Sequence, residues 1–231
     1  MKLAILGDIH GNHLALKAVL NSASNEGVDK LLITGDLVGY YPFVREVLEL
    51  LQDWNHIAVA GNHEVMFKRA ISDVTFLEMI TKKYGSSIKI ALETLSQEQI
   101  NFLATMPIIM EFEISNRAII LCHGSPVDVD EYIYPDSDLS KLTWLDSHSS
   151  QIILCGHTHY PMLREMNSTT ILNPGSVGQP RNGVRKAHWV LFDTTKNTFE
   201  FMLEEYDINS IIESVRVTDP TNLYLQKVLT R

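Results

Sequence analysis

The stretch KLAILGDIHGN, residues 2–12, reads as a strand that stops on polar chemistry. The run Lys2–Leu6 is apolar after its first residue, Gly7 breaks it, and Asp8 and His10 follow at once. Asn12 then stands where a helix would be capped, and NHLALKAVLNSAS (12–24) carries apolar residues at helical spacing. A buried strand feeding a helix through a short polar loop is the first half of a βαβ unit, and predicts an α/β fold with parallel strands.

The same alternation extends outward. KLLIT (30–34) and HIAVA (56–60) read as the next strands, with FVREVLELLQD (43–53) as the helix between them. Residues 64–106 lose strand character and predict a helical excursion, in which Ser96 and Gln99 fit a capping box. From residue 108 strands return with shorter connections: IIMEFEI (108–114), AIILC (118–122), QIILC (151–155), PMLREM (161–166), TTILN (169–173), AHWVLFD (187–193) and TFEFMLEEY (198–206). A helix is expected at about 137–147, and the tail predicts two more at DINSIIESVRV (207–217) and DPTNLYLQKVL (219–229), the latter with Asp219 as cap and Pro220 at the first helical position. There is no repeat, low-complexity tract or linker, so residues 1–231 are expected to form one domain of two packed sheets with helices outside.

A chain of 231 residues buries roughly 70–75% of its unfolded surface and needs no disulfide staples. Cys122 and Cys155, each ending an apolar run, are expected as reduced buried thiols, and their spacing is not that of zinc ligands. The net charge of −9 argues against a nucleic-acid backbone as the main partner. No run approaches the ~18 apolar residues of a membrane span, and no basic segment with an apolar core opens the chain; a cytoplasmic protein is expected.

Polar residues gather where the strands end. The first strand ends in Asp8 and His10, the second in TGDLVG with Asp36, the third in GNHE with Asn62 and His63. AIILC runs into His123, and QIILC into Gly156, His157 and His159. The carboxyl ends of strands are where open α/β sheets bind ligands, so these side chains are expected to converge. In extended chain, residues two apart point the same way, which would let each D-x-H or H-x-H pair reach one point. Two Asp, one Asn and four His without thiolate suit Mn, Fe, Zn, Co or Ni better than Mg or Ca. Seven donors exceed one tetrahedral ion and match two ions sharing a carboxylate, an arrangement suited to phosphoester hydrolysis.

The ordered series GDIHGN, GDLVG, GNHE, CHG and GHTH resembles the calcineurin-like metallophosphoesterase superfamily, and NPGSVGQPRNG (173–183) is similar to its small phosphodiesterase branch. The resemblance implies a four-layer α/β/β/α sandwich of two mixed sheets and two divalent transition-metal ions, manganese foremost. It implies Asp8, His10 and His159 on one ion, Asn62, His123 and His157 on the other, and Asp36 bridging. His63 would be the general acid rather than a ligand, and a metal-bridging hydroxide the nucleophile. Arg181 is a candidate grip on a substrate phosphate oxygen, with Arg185 and Lys186 as alternatives; Asn12 and Asn62 are candidate substrate contacts, Asn12 being also a helix cap. Tyr40 and Tyr41 either line the cleft or pack in their loop, and His13, His56, His148 and His188 are expected to be structural or exposed. The function expected is hydrolysis of a small soluble, nucleotide-like phosphodiester. Alternatives are a phosphomonoesterase or nucleotidase, or a metal-binding scaffold without turnover. The chain could also form a homo-oligomer.

Overall fold

The computed structural model describes residues 1–138, 140, 142–146 and 152–231. Its opening follows the sequence pattern: β1 (Lys2–Leu6), α1 (His13–Asn25), β2 (Lys30–Ile33), α2 (Val44–Gln52) and β3 (His56–Ala58). Asn12 caps α1, its side chain accepting from the Ala15 N–H. Four helices follow, α3 (Asn62–Ala70), α4 (Val74–Tyr84), α5 (Ser87–Thr94) and α6 (Gln97–Thr105), the last opened by the Ser96–Gln99 capping box. The helical segment begins at Asn62, so both Asn62 and His63 lie in the first turn of α3 rather than before it.

The second half holds β4 (Met110–Ile114), β5 (Arg117–Leu121), the single turn α7 (Thr143–Asp146), β6 (Ile152–Leu154), β7 (Pro161–Glu165), β8 (Thr170–Pro174), β9 (Ala187–Asp193), β10 (Thr198–Glu204), α8 (Ile208–Thr218) and α9 (Leu223–Val228). Among the described residues the helix expected at 137–147 is represented by that turn; Leu139, Lys141 and Ser147, with His148 and the first residue of QIILC, lie outside the described residues. The cap of the last helix also differs from expectation. Asn222 caps α9, while Asp219 ends α8 and turns its carboxylate to the Ser86 N–H and hydroxyl. Residues 219–222 form a turn between the two helices, and Pro220 lies in it rather than at a first helical position.

Two five-stranded mixed sheets result, ordered β10-β9-β1-β2-β3 and β4-β5-β6-β8-β7. In the first sheet β1 pairs with β2 and β2 with the edge strand β3 in parallel, and the antiparallel β9 and β10 extend it beyond β1; in the second, the parallel pairs β5–β6 and β6–β8 are central and the antiparallel β4 and β7 flank them. The period-two pleat sorts the apolar residues into layers. Leu3, Ile5, Leu32, Ile119, Leu121, Ile152, Leu154 and Leu172 meet between the sheets. Ala4, Leu6, Leu31 and Ile33 point the other way, onto α1, α2 and the helices after β3, while Ile120, Ile153 and Ile171 face Leu142 and Leu145. The architecture is therefore helices, sheet, sheet, helices. Cys122 and Cys155 are free and buried. No helix among the described residues is long and apolar enough to cross a membrane.

Candidate metal centre

The loops leaving β1, β2, β5 and β6 are stitched together by backbone hydrogen bonds. The Asp8 N–H donates to the Gly35 carbonyl, His10 N–H to Asp36, and Gly156 N–H to His123. Within these loops the expected extended geometry does not occur. Asp8, His10, Asp36, His157 and His159 all have left-handed backbone, with φ between 52° and 68°. The D-x-H and H-x-H side chains thus converge through tight left-handed turns rather than through the strand pleat. Such conformations cost about 1–3 kcal/mol each and persist where the surroundings hold them, commonly at functional sites.

The side chains they deliver are almost wholly buried: Asp8, His10 and His123 at 0% exposure, Asp36 at 1%, His159 at 2%, His63 at 3%. Each of three imidazoles has its Nδ1 on a backbone carbonyl: His10 on Val38 at 3.1 Å, His123 on Thr34 at 2.8 Å, and His159 on Gln179. That contact makes Nδ1 the donor and turns the Nε2 lone pair inward. The consequence is an unfavourable set of neighbours. The Nε2 atoms of His10 and His159 face each other at 3.1 Å, with Asp8 Oδ1 3.3 Å from His159 and Asp36 Oδ2 3.6 Å from His10. Asp36 Oδ2 also lies 3.3 Å from His123 Nε2, which is 3.1 Å from the Asn62 side-chain oxygen. Asp8 Oδ1 and His157 Nε2 are buried with no hydrogen-bond partner among the described residues. Acceptors packed against acceptors in a dry site are what a bound cation would reconcile, so these residues fit metal. Asp8, His10 and His159 form one group of donors with ligand spacing, Asp8, Asp36 and His123 another, and His10, Asp36 and His63 a third.

The titration shifts agree with that geometry. Burial, helped by Arg181 and His10, pushes His159 well below the usual imidazole range, and burial does the same to His10. His157 falls to about 4, from burial first and His123 second. Burial also raises Asp8. For Asp36 burial acts upward, but the neighbouring His123 and His63 overcome it and hold the carboxyl below its normal range. His123 is the exception among the imidazoles: burial pulls it down, the Asp36 carboxylate outweighs that, and it rises to about 10. Without metal, a proton on His123 satisfies the Asp36 side of the site.

His63 shares the third of these groups with His10 and Asp36. Its backbone N–H donates to Asp36 Oδ1 at 2.9 Å, its ring lies 4.8 Å from that of His10 and 4.9 Å from that of Tyr40, and its buried Nδ1 has no hydrogen-bond partner among the described residues. The ring rests on Gly39, where a Cβ would come 2.2 Å from Nδ1, so this left-handed position admits no side chain. Tyr84, at the end of α4, packs on His63 with centroids 5.3 Å apart, which brings the helical segment to the cleft.

Arg181 is held by Tyr40 Oη at 3.2 Å and Gln179 Oε1 at 3.4 Å and forms no ion pair among the described residues, whereas Lys186 pairs with Glu205. Asn12 is committed elsewhere: beyond its cap bond, its amide donates to Gly178 O and to Tyr206 Oη, so it is a helix cap rather than a cleft group. Tyr40 lines the cleft and Tyr41 is buried behind it. His56 bonds Trp54 O, His13 packs against Phe43 with its ring tilted, and His188 is buried.

Two groups escaped the sequence reading. Glu64, the last residue of GNHE, is 1% exposed and accepts from three backbone N–H groups: Asp36 at 2.8 Å, Gly61 at 2.7 Å and Val38 at 2.9 Å. It ties the Asp36 loop to the turn before Asn62. Its position at the third residue of a helix was the available signal. Gln179 orients His159 through its carbonyl and Arg181 through its side chain, and its own N–H is fixed by Ser176.

The fold and this donor set agree with the family comparison: the chain belongs to the calcineurin-like phosphoesterase superfamily, whose domain model matches residues 1–197. This is a metal-dependent phosphoesterase family. The chain is 32% identical to protein MJ0912 of Methanocaldococcus jannaschii over 92% of its own length and 91% of that protein. It is 26% identical to phosphodiesterase YfcE of Escherichia coli over 79% and 83% of the two chains. Protein PH1004 of Pyrococcus horikoshii superposes with a TM-score of 0.88 at 25% identity, covering 99% of this chain and 97% of that one.

Proposed function

We propose that this protein is a binuclear metal-dependent phosphodiesterase acting on a small phosphoester. The observation that carries the reading is the division of the buried donors on either side of Asp36, whose Oδ2 approaches His10 on one flank and His123 on the other. Asp8, His10 and His159 would hold one ion, Asn62, His123 and His157 the second, and Asp36 both. Bound in pairs, manganese or a similar transition-metal ion supplies charge neutralisation and lowers the pKa of an attacking water.

The chain's own residues do the rest. Arg181, kept cationic and oriented by Tyr40 and Gln179, offers its planar fork to a non-bridging phosphate oxygen. His63 holds the proton for the leaving oxygen. Burial lowers its pKa, and a phosphate anion beside it would favour the charged imidazole. Arg181 is a cleft cation outside the donor set, and one such charge matches the single negative charge of a diester better than a monoester dianion. We further treat residues 1–231 as one domain whose α3–α6 segment brings Tyr84 to the rim of the cleft.

The test is metal-dependent hydrolysis of bis(p-nitrophenyl) phosphate against p-nitrophenyl phosphate, by protein stripped of metal and reloaded with Mn, Ni, Co, Zn or Mg. Faster turnover of the diester, abolished in Asp36→Asn, supports the reading. Preference for the monoester would make the protein a phosphomonoesterase, and silence on both with metal bound would point to a scaffold without turnover.

A further inference from the structure

A row of tyrosines leads away from the metal centre, and nothing in the chemistry so far uses it. Tyr132 lies against His157, with ring centroids 4.0 Å apart. Tyr134 stacks on Tyr132 at 5.8 Å with planes 15° apart, and Tyr160, next to His159 in sequence, closes on Tyr134 edge-on at 6.0 Å. Tyr132 is 51% exposed and Tyr134 38%. A ring that served only to cover His157 would be buried by doing so; here two nearly parallel rings stay open to water beside the site.

The loop that carries them has no α-helix or strand between β5 and α7 among its described residues, yet it is tied down. Arg164 donates to the carbonyls of Pro135 and Ser137, Ser137 Oγ accepts from the Tyr134 N–H at 2.9 Å, and Ser125 accepts from the Asp128 N–H. The platform is therefore formed before any ligand arrives, which removes an ordering cost from binding.

Charge narrows the ligand. Residues 122–138 include Asp128, Asp130, Glu131, Asp136 and Asp138 and no lysine or arginine. That field repels a nucleic-acid strand, with one charge per nucleotide, far more than a small diester whose single charge is met at the metal centre. A planar π-face next to a phosphate site, in an acidic setting, fits a nucleobase linked to the scissile phosphate.

We infer that Tyr132, backed by Tyr134, is the stacking platform for the base of a small nucleotide phosphodiester whose phosphate sits at the His157 end of the metal centre. The inference rests on the phosphodiesterase reading for the chemistry, and on the tyrosine row alone for the base.

Binding tests it without turnover. Calorimetric affinities of the manganese-loaded protein for adenosine 5′-monophosphate and ribose 5-phosphate differ only by the base. Stacking on an aromatic side chain is worth enough to make the nucleotide roughly tenfold tighter in the wild type. Tyr132→Ala should erase that ratio while leaving ribose 5-phosphate affinity and metal content unchanged, and Tyr132→Trp should keep it. Equal affinity for the two ligands in the wild type, or no measurable binding of either, overturns the proposal. So does a Tyr132→Ala protein that weakens both alike or loses metal, since Tyr132 would then only support His157. A base preference without hydrolysis of bis(p-nitrophenyl) phosphate would sink the phosphodiesterase reading and leave the platform standing. Hydrolysis without base preference would do the reverse.

Discussion

Replacing Glu64 by alanine withdraws the acceptor from three buried N–H groups at once, those of Asp36, Val38 and Gly61. Leaving a buried donor unsatisfied costs about 1–3 kcal/mol, and water entering the vacated volume recovers part of it. A net loss of about 3–5 kcal/mol follows, which in a chain of this size lowers the melting temperature by roughly 10 °C. Glutamine separates hydrogen bonding from charge. One oxygen still serves Asp36 and Gly61, the amide group opposes the Val38 N–H, and removal of a second buried carboxylate beside Asp36 offsets that conflict. Burial first and Asp36 second raise the Glu64 pKa, so the repulsion relieved is real. Glu64→Gln is therefore expected to lose only about 1 kcal/mol, or 2–4 °C.

The same change reaches the metal centre through the backbone. Val38 supplies the carbonyl that orients His10, Asp36 lies between the donor groups, and Gly61 precedes Asn62. At Gly61 a Cβ would sit 2.1 Å from Asp36 Oδ1, so the contact tolerates no slack. Loosening it should weaken metal binding about 10–100-fold, the usual effect of removing a group that orients ligands. Differential scanning calorimetry of chelator-treated protein, followed by manganese titration, reads both effects. A Glu64→Ala protein melting within 2 °C of wild type refutes the reasoning, as does a Glu64→Gln protein that falls equally far.

Three further outcomes follow from the geometry of the cluster. Asp36→Asn should lose at least tenfold more metal affinity than Asp8→Asn, because Asp36 Oδ2 approaches both His10 and His123; equal losses by elemental analysis would count against sharing. His63→Ala should retain its metal but lose activity by about 10²–10⁴, most severely on diesters with poor leaving groups, and metal loss in that variant would make His63 a ligand. Metal uptake at pH 7 should release at least one proton, since His123 at about 10 is charged until a cation replaces its proton, and raised Asp8 adds to the release. Because binding expels protons, affinity must rise with pH, by about tenfold per unit for each proton released. Calorimetry in two buffers of different ionisation enthalpy measures that number, and zero release would exclude a protonated His123.

What could be foreseen from the amino-acid sequence divides along a physical line. KLAIL, KLLIT and AIILC announced their strands because burial on both faces demands unbroken apolar runs, and the first polar residues after each run named the donors of the cluster. Side-chain chemistry of that kind leaves its residue type in the chain. Backbone chemistry does not. Glu64 acts on N–H groups that every non-proline residue possesses, so GNHE reveals a carboxylate without revealing that residues 36, 38 and 61 are its partners. The left-handed turns at Asp8, His10, His157 and His159 were hidden for a related reason. Aspartate tolerates such backbone and histidine adopts it under constraint, so neither signals it as glycine would. Asp219 could cap the helix after it or end the helix before it, and only the presence of Ser86 decides. Two of the tyrosines, Tyr132 and Tyr134, lie in VDVDEYIYPDSD, where nothing in the pattern marks them as a platform. Its meaning comes from His157, twenty-five residues away from Tyr132 in sequence and in ring contact with it in the fold. Side chains that gather in the cluster can thus be named from composition and order, while those that aim them act through neighbours that only the folded chain supplies.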